Sequence, residues 1–189
     1  MLVLASASPR RRELLTQAGY SFTVHPAHIQ EDPLPGENPT AYVTRLAREK
    51  AQAVYGQLAG DTALDGALTV LGADTTVTLD DQILGKPENA ADAAWMLRML
   101  SGRTHRVITG VALVTARAME VAAESTTVWF REVSDAEIAA YVSSGEPMDK
   151  AGGYGIQGRA ARWIPRVEGC YFNVVGLPLA LVTKLLEGG

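Results

Sequence analysis

LVLASASPRRRELL, residues 2–15, sets a short apolar run directly against a helix-opening signal. Leu2-Val3-Leu4-Ala5 reads as a buried strand. Ser8 then reads as a helix N-cap and Pro9 as the first helical residue. Ser accepts from an amide that has no partner inside the helix, and Pro lacks the N–H that would have none. A strand passing straight into a helix is the opening unit of an α/β chain. The same stretch poses an electrostatic question. Arg10 and Arg11 fall in the first turn, where the helix end already carries partial positive charge and a cation is disfavoured by about 0.3–1 kcal/mol. A capping box would place Glu or Gln where Arg11 stands. Either an anion docks on the amides and arginine forks, or the cluster is solvated and pairs with nearby acids. This stretch leaves both open.

The alternation continues outward. Ser21 to His25 has the period of a strand, and a polar, proline-rich loop with Glu31 and Asp32 follows. Asn38-Pro39 repeats the cap logic and opens a helix over about Thr40–Leu58. Ala67–Leu71 and Thr76–Leu79 read as two β-rich runs interrupted by Gly72-Ala73-Asp74-Thr75, and Asp80-Asp81 turns the chain back into Gln82-Ile83-Leu84. Asn89 caps a third helix that ends before Gly102. Arg106–Val114 and Val121–Val133 read as a long antiparallel pair. Ser134 to Glu137 is a capping box. Phe172–Val175 reads as a strand and Leu177–Leu186 as a closing helix. One mixed sheet with flanking helices, in a single α/β domain over residues 1–189, is the expected architecture.

Of the 189 residues, 47% are hydrophobic and 20% charged, which is ordinary globular composition. A net charge of −4 gives no overall basic surface for nucleic acid. Cys170 is the single cysteine, which excludes an internal disulfide framework and fits a reducing compartment. No apolar run approaches the length needed to span a bilayer, and the N-terminus lacks a secretion-signal pattern. A cytoplasmic protein is expected.

Lys50 is the most informative single position. At 100° per residue Val43, Leu46, Ala47, Ala53, Val54 and Leu58 form one apolar arc, with Lys50 near its centre and Arg45, Arg48 and Gln52 outside it. A core-facing ammonium needs an acid or a bound anion, unless its stem is buried and its charge reaches water. We read Lys50 as lining a cleft. Asp74, where the apolar run breaks at Gly72, is expected exposed at a strand end, where it would bind a divalent ion, accept a proton from water, or make an Asx turn. Lys86, in Leu84-Gly85-Lys86-Pro87, reads alone as a loop lysine. GYGIQG, residues 153–158, matches G-x-G-x-x-G, but a helix precedes it and no strand does, so a dinucleotide fingerprint is rejected. Its glycines would let backbone approach a ligand closely, and Gln157 offers the donor and acceptor that complement the N3–H and O4 edge of uracil or thymine. His25, His28, His105 and Cys170 lack zinc-ligand spacing.

Together, SASPRR (6–11), LAREKA (46–51), GADT (72–75), KP (86–87), DKAG (149–152), YGIQG (154–158) and NVVGLPL (173–179) occur in the order found in the Maf family, which the whole chain resembles. The resemblance implies a two-lobed, elongated mixed sheet around a central cleft, like the inosine triphosphatase group, and a homodimer. It implies hydrolysis of the α–β phosphoanhydride of dTTP or UTP, or of modified pyrimidine nucleotides, with Mg²⁺ or Mn²⁺. Asp74 matches the general base. Ser8, Arg11, Lys50 and Lys86 match the phosphate contacts, Glu31 and Asp74 the metal site, and Arg11, Thr75 and Gln157 the specificity positions. The alternative is a nucleotide-binding regulator of septum formation that performs no hydrolysis.

Overall fold

Two helical crossovers build the first three strands into parallel register, as parallel pairing requires. In the computed structural model, which describes residues 1–60 and 68–188, β1 (Leu2–Leu4) pairs in parallel with β2 (Phe22–Val24) and with β3 (Thr69–Leu79). Between them run α1 (Pro9–Gln17) and α2 (Pro39–Leu58). β4 (Gln82–Leu84) returns antiparallel on β3 through Asp80 and Asp81, whose φ values of 50° and 63° suit a tight hairpin turn. β5 (Thr104–Val114) and β6 (Met119–Trp129) are neighbours joined by residues 115–118, too short a connection for anything but an antiparallel pair. β7 (Arg166–Glu168) pairs antiparallel with the end of β6. The mixed sheet runs β2-β1-β3-β5-β6-β7, with β4 on β3. α3 (Ala90–Leu100), α4 (Asp135–Val142), α5 (Tyr171–Val175) and α6 (Leu179–Glu187) complete the fold.

The caps form as the sequence indicates. Ser8 Oγ accepts from the Arg11 amide, Asn38 from Ala41, and Asn89 from Ala91 and Asp92; Ser134 and Glu137 make a reciprocal capping box.

The chain divides into two compact units: Met1–Thr75 with Thr109–Glu124 and Gly176–Gly189, and Thr76–Ile108 with Ser125–Val175. In the first, Val3, Ala5, Ala47, Ala51, Val54, Val70 and Ala112 form a buried cluster of mostly small side chains. Their size lets α2 lie against the sheet, and two glycines bring it closer still. A Cβ on Gly72 would lie 2.1 Å from the Ala47 carbonyl oxygen, and one on Gly110 2.3 Å from that of Val43. The second unit buries Leu79, Leu84, Leu97, Leu100, Val128, Ile138 and Trp163, and edge-to-face contacts link Tyr141, Trp163, Phe130, Tyr154 and His105.

Four expectations need correction. β3 is continuous across Gly72–Thr75, because Gly72 accommodates a helix and is not a strand break. Phe172–Val175 is part of helix α5; within it the buried Asn173 donates from Nδ2 to the Val107 carbonyl and Thr126 Oγ1, both at 2.9 Å. The closing helix begins at Leu179, with Pro178 at the N-cap position making no side-chain cap bond, and β6 ends at Trp129. Ala67, the expected start of a run, lies outside the described residues.

Candidate active site

Side chains alternate faces along a strand, so Gly72 and Asp74 of β3 look the same way. The bare face at Gly72 lets α2 approach, and the helix presents Lys50 to Asp74. Lys50 Nζ donates to Asp74 Oδ1 at 2.7 Å and forms an ion pair with Glu31 Oε1 at 2.7 Å. The ammonium and Asp74 are buried, whereas the Glu31 side chain is 48% exposed. The arc position of Lys50 thus leads to burial with two acids. Asp74 differs from expectation, lying inside a strand and buried. Burial pushes its carboxyl above the ordinary carboxylate range, against the pull of Lys50 and Arg11. A carboxylate so placed is a stronger base than one in water.

Glu31 sits on the loop before α2, and α2 holds that loop. The Tyr42 hydroxyl donates to the Glu31 carbonyl oxygen at 2.9 Å, two helical turns before Lys50. Burial, helped by the Asp74 and Glu31 charges, pushes the Tyr42 phenol up to about 12, so it stays a donor. Arg45 reaches the Asp32 carbonyl at 3.1 Å and grips Glu37 through Nε and Nη2 at 2.7 and 2.8 Å, and Glu37 in turn accepts from the Leu34 amide. This charged fork draws the Glu37 pKa down.

Arg11 answers the question posed by the arginine run: its charge is directed inward, onto the protein's own oxygens. β1 ends at Leu4, and Ala5 N–H donates to Leu71 O; the next carbonyl of β3 on that edge, Ala73, has no strand beside it. Arg11 Nη1 takes it at 2.8 Å and also reaches Ser6 Oγ at 3.1 Å. Nε donates to the Gly176 carbonyl at 2.8 Å and Nη2 to Thr75 Oγ1 at 3.0 Å. Among the described residues these bonds use four of the five guanidinium N–H groups and leave one on Nη2. Thr75 Oγ1 also lies 2.9 Å from Thr109 Oγ1. Ser8 acts as the α1 cap, accepting from Arg11 N at 3.5 Å.

Ser8, Arg11, Glu31, Lys50, Asp74 and Thr75 all belong to the first unit. Lys86 and Gln157 belong to the second. Lys86 is exposed between β4 and α3. Gln157 is exposed in a turn closed by the Gly158 amide donating to the Gly155 carbonyl at 3.1 Å.

A family model described as Maf-like protein matches residues 1–188. The chain belongs to the Maf family. Proteins named dTTP/UTP pyrophosphatase resemble it over nearly their whole length. That of Moorella thermoacetica is 54% identical over 187 residues (98% of this chain, 93% of the relative). Those of Koribacter versatilis and Vibrio cholerae are 52% and 48% identical over 186 residues, covering 98% of this chain and 93% and 96% of the relatives.

In this Maf chain Glu31 and Asp74 are hard oxygen donors of the kind a divalent cation takes, and both meet the Lys50 ammonium, so a metal ion would share these carboxylates with it. Among the described residues no three or more His, Cys, Asp or Glu side chains group as a metal site. Mg²⁺ commonly takes one or two carboxylates and completes its shell with water and substrate phosphate, so the pair fits an ion that arrives with a nucleotide. Among the described residues no helix is long and apolar enough to cross a membrane.

Sequence reasoning missed Ser6, Tyr42, Arg45 and Thr109. Only Tyr42 carried a usable signal, since Tyr42, Leu46 and Lys50 share a helix face at i, i+4, i+8. The partners that place the others lie 5 residues on for Ser6, 8 and 13 residues back for Arg45 and 34 residues back for Thr109.

Proposed function

We propose that this chain hydrolyses dTTP and UTP between the α- and β-phosphates, releasing a nucleoside monophosphate and pyrophosphate. The observation that carries the reading is the buried Lys50 ammonium held between Asp74 and Glu31. Such a site sets a buried cation beside a carboxylate of raised basicity. Asp74 orients the attacking water and accepts its proton as the oxygen adds to the α-phosphorus, and pyrophosphate departs. Lys50, Lys86, the remaining Arg11 N–H and the Ser8 cap at the α1 N-terminus are assigned to phosphate oxygens. A Mg²⁺ or Mn²⁺ held by Glu31 and Asp74 would neutralise the phosphate oxygens and ease ionisation of water. Gln157, with Arg11 and Thr75, is assigned to base recognition, because a site built to hydrogen-bond one edge rejects bases that lack it.

Product identity tests the reading. With UTP, dTTP, CTP and ATP in Mg²⁺, phosphorus NMR should show pyrophosphate and monophosphate, with dTTP and UTP turned over fastest. Orthophosphate would make the protein a phosphatase, and no turnover would make it a binder. Asp74→Asn should lower kcat by at least about a hundredfold; near-normal turnover would remove Asp74 from its role.

A further inference from the structure

The glycines around Gln157 pack against this chain's own side chains. A Cβ on Gly158 would lie 1.8 Å from Glu146 Oε1, and one on Gly155 would lie 2.7 Å from Cε of Lys150. The φ of Gly158 is −99°, which other residues adopt, so proximity to Glu146 is what excludes a side chain there. The contacts form an arch. At one end the Gly155 amide donates to the Tyr141 hydroxyl at 3.3 Å, and that hydroxyl donates to Glu146 Oε1 at 3.0 Å. At the other end the Arg159 amide donates to both carboxylate oxygens of Glu146, at 3.1 and 3.3 Å. Tyr141 is buried against Trp163, so the anchor is set in the core of the second unit. Lys150 supports the arch from below, with Nζ held by the Glu146 carbonyl at 2.7 Å and Asp149 Oδ1 at 2.6 Å. Gln157 stands exposed at the crown.

We propose that Glu146, seated on Tyr141, is a positioning residue that fixes the Gln157 turn and thereby sets discrimination among pyrimidines. The inference rests on Gln157 as the base-reading residue. A glutamine amide has a donor and an acceptor side by side, and turned over it satisfies cytosine as well as uracil. Selectivity between the two therefore requires that the amide be offered from one fixed backbone position. The Glu146 carboxylate supplies that constraint by tying residues 155 and 159 to one anchor.

The test compares kcat and KM for UTP and CTP in the full chain and in Q157A, E146A, E146Q, G158A and the E146A/G158A double variant, with thermal melts on each. E146A should lower the UTP-to-CTP ratio of kcat/KM about tenfold, mainly through KM for UTP, with kcat within about twofold. E146Q keeps an acceptor for Tyr141 and Arg159 and should keep the ratio. G158A should lose it, and E146A/G158A should be no worse than E146A, since the clashing carboxylate is gone. If Q157A leaves the ratio unchanged, the fault lies in the base-reading role and the proposal falls with it. If Q157A abolishes the preference while E146A keeps it, or weakens all substrates equally, or only lowers the melting temperature, Glu146 has no positioning role.

Discussion

Replacing Gly72 by alanine tests whether the approach of α2 to the sheet builds the Lys50–Asp74 pair. The added Cβ would lie 2.1 Å from the Ala47 carbonyl oxygen and 2.9 Å from both the Ala51 Cβ and its amide nitrogen. Close C···O contacts sit near about 3.3 Å, so the helix backbone must retreat by about 1 Å. Ala47 and Ala51 flank Lys50 on that helix, and the ammonium would be carried away from Asp74 Oδ1, 2.7 Å distant in the native chain. Overpacking of this kind costs about 1–3 kcal/mol, or about 2–12 °C in melting temperature for a chain of this size. A displacement near 1 Å at a catalytic group lowers kcat by about a hundredfold. Gly56, on the same helix with nothing within 4 Å of its virtual Cβ, is the control. Gly56→Ala should hold or raise the melting temperature, since alanine is the better helix former. Calorimetry and steady-state turnover of UTP read both effects. A Gly72→Ala protein with native melting temperature and native kcat/KM would refute the reasoning.

Lys50→Met leaves Asp74 buried without its counter-charge and should destabilise by about 3–5 kcal/mol in urea unfolding, with Lys50→Met/Asp74→Leu recovering much of the loss. Tyr42→Phe releases the Glu31 carbonyl and should raise the Mg²⁺ concentration for half-maximal activity about fivefold, with kcat at saturating Mg²⁺ within about twofold. His105 is buried, with Nε2 2.6 Å from the Tyr154 hydroxyl, and burial pulls its pKa down to about 3. Its folded pKa lies below the unfolded value, so its contribution is complete above about pH 6.5 and is lost as pH falls toward 3. The slope approaches about 1.4 kcal/mol per pH unit, or about 2 kcal/mol lost by pH 5. Urea unfolding at pH 7.5 and 5 should show the loss in the native chain and its absence in His105→Gln.

Features fixed by neighbours in sequence were legible. Ser8, Asn38, Asn89 and Ser134 cap helices because the amides they satisfy lie two or three residues on. Lys50 was legible because helical period alone places it among apolar residues. Phe172–Val175 reads as a strand because a short apolar run has no period to choose between strand and helix, and the partners of Asn173 there, Val107 and Thr126, lie 66 and 47 residues away. Gly72 reads as an interruption because the α2 backbone packed against it lies about 20 residues back in the sequence. The inward turn of Arg11 depends on Ala73 and Gly176, far along the chain, and on where β1 stops. Glu146 sits next to a proline in a polar stretch, and nothing local marks it as the seat of the Gln157 turn.

Arg11 closes on Gly176 across 165 residues. On the ribosome, at about 5–20 residues per second, roughly 8–33 s separate the two ends of that bond. During that interval the nascent chain holds a guanidinium whose Nε lacks its Gly176 acceptor, so the first unit cannot finish before Gly176 has emerged. Residues 125–175, which complete the second unit, all emerge earlier. The segment from Gly176 onward, made after the second unit, is therefore the latch of the first unit, and a chain truncated before Gly176 forfeits that latch whatever else it retains.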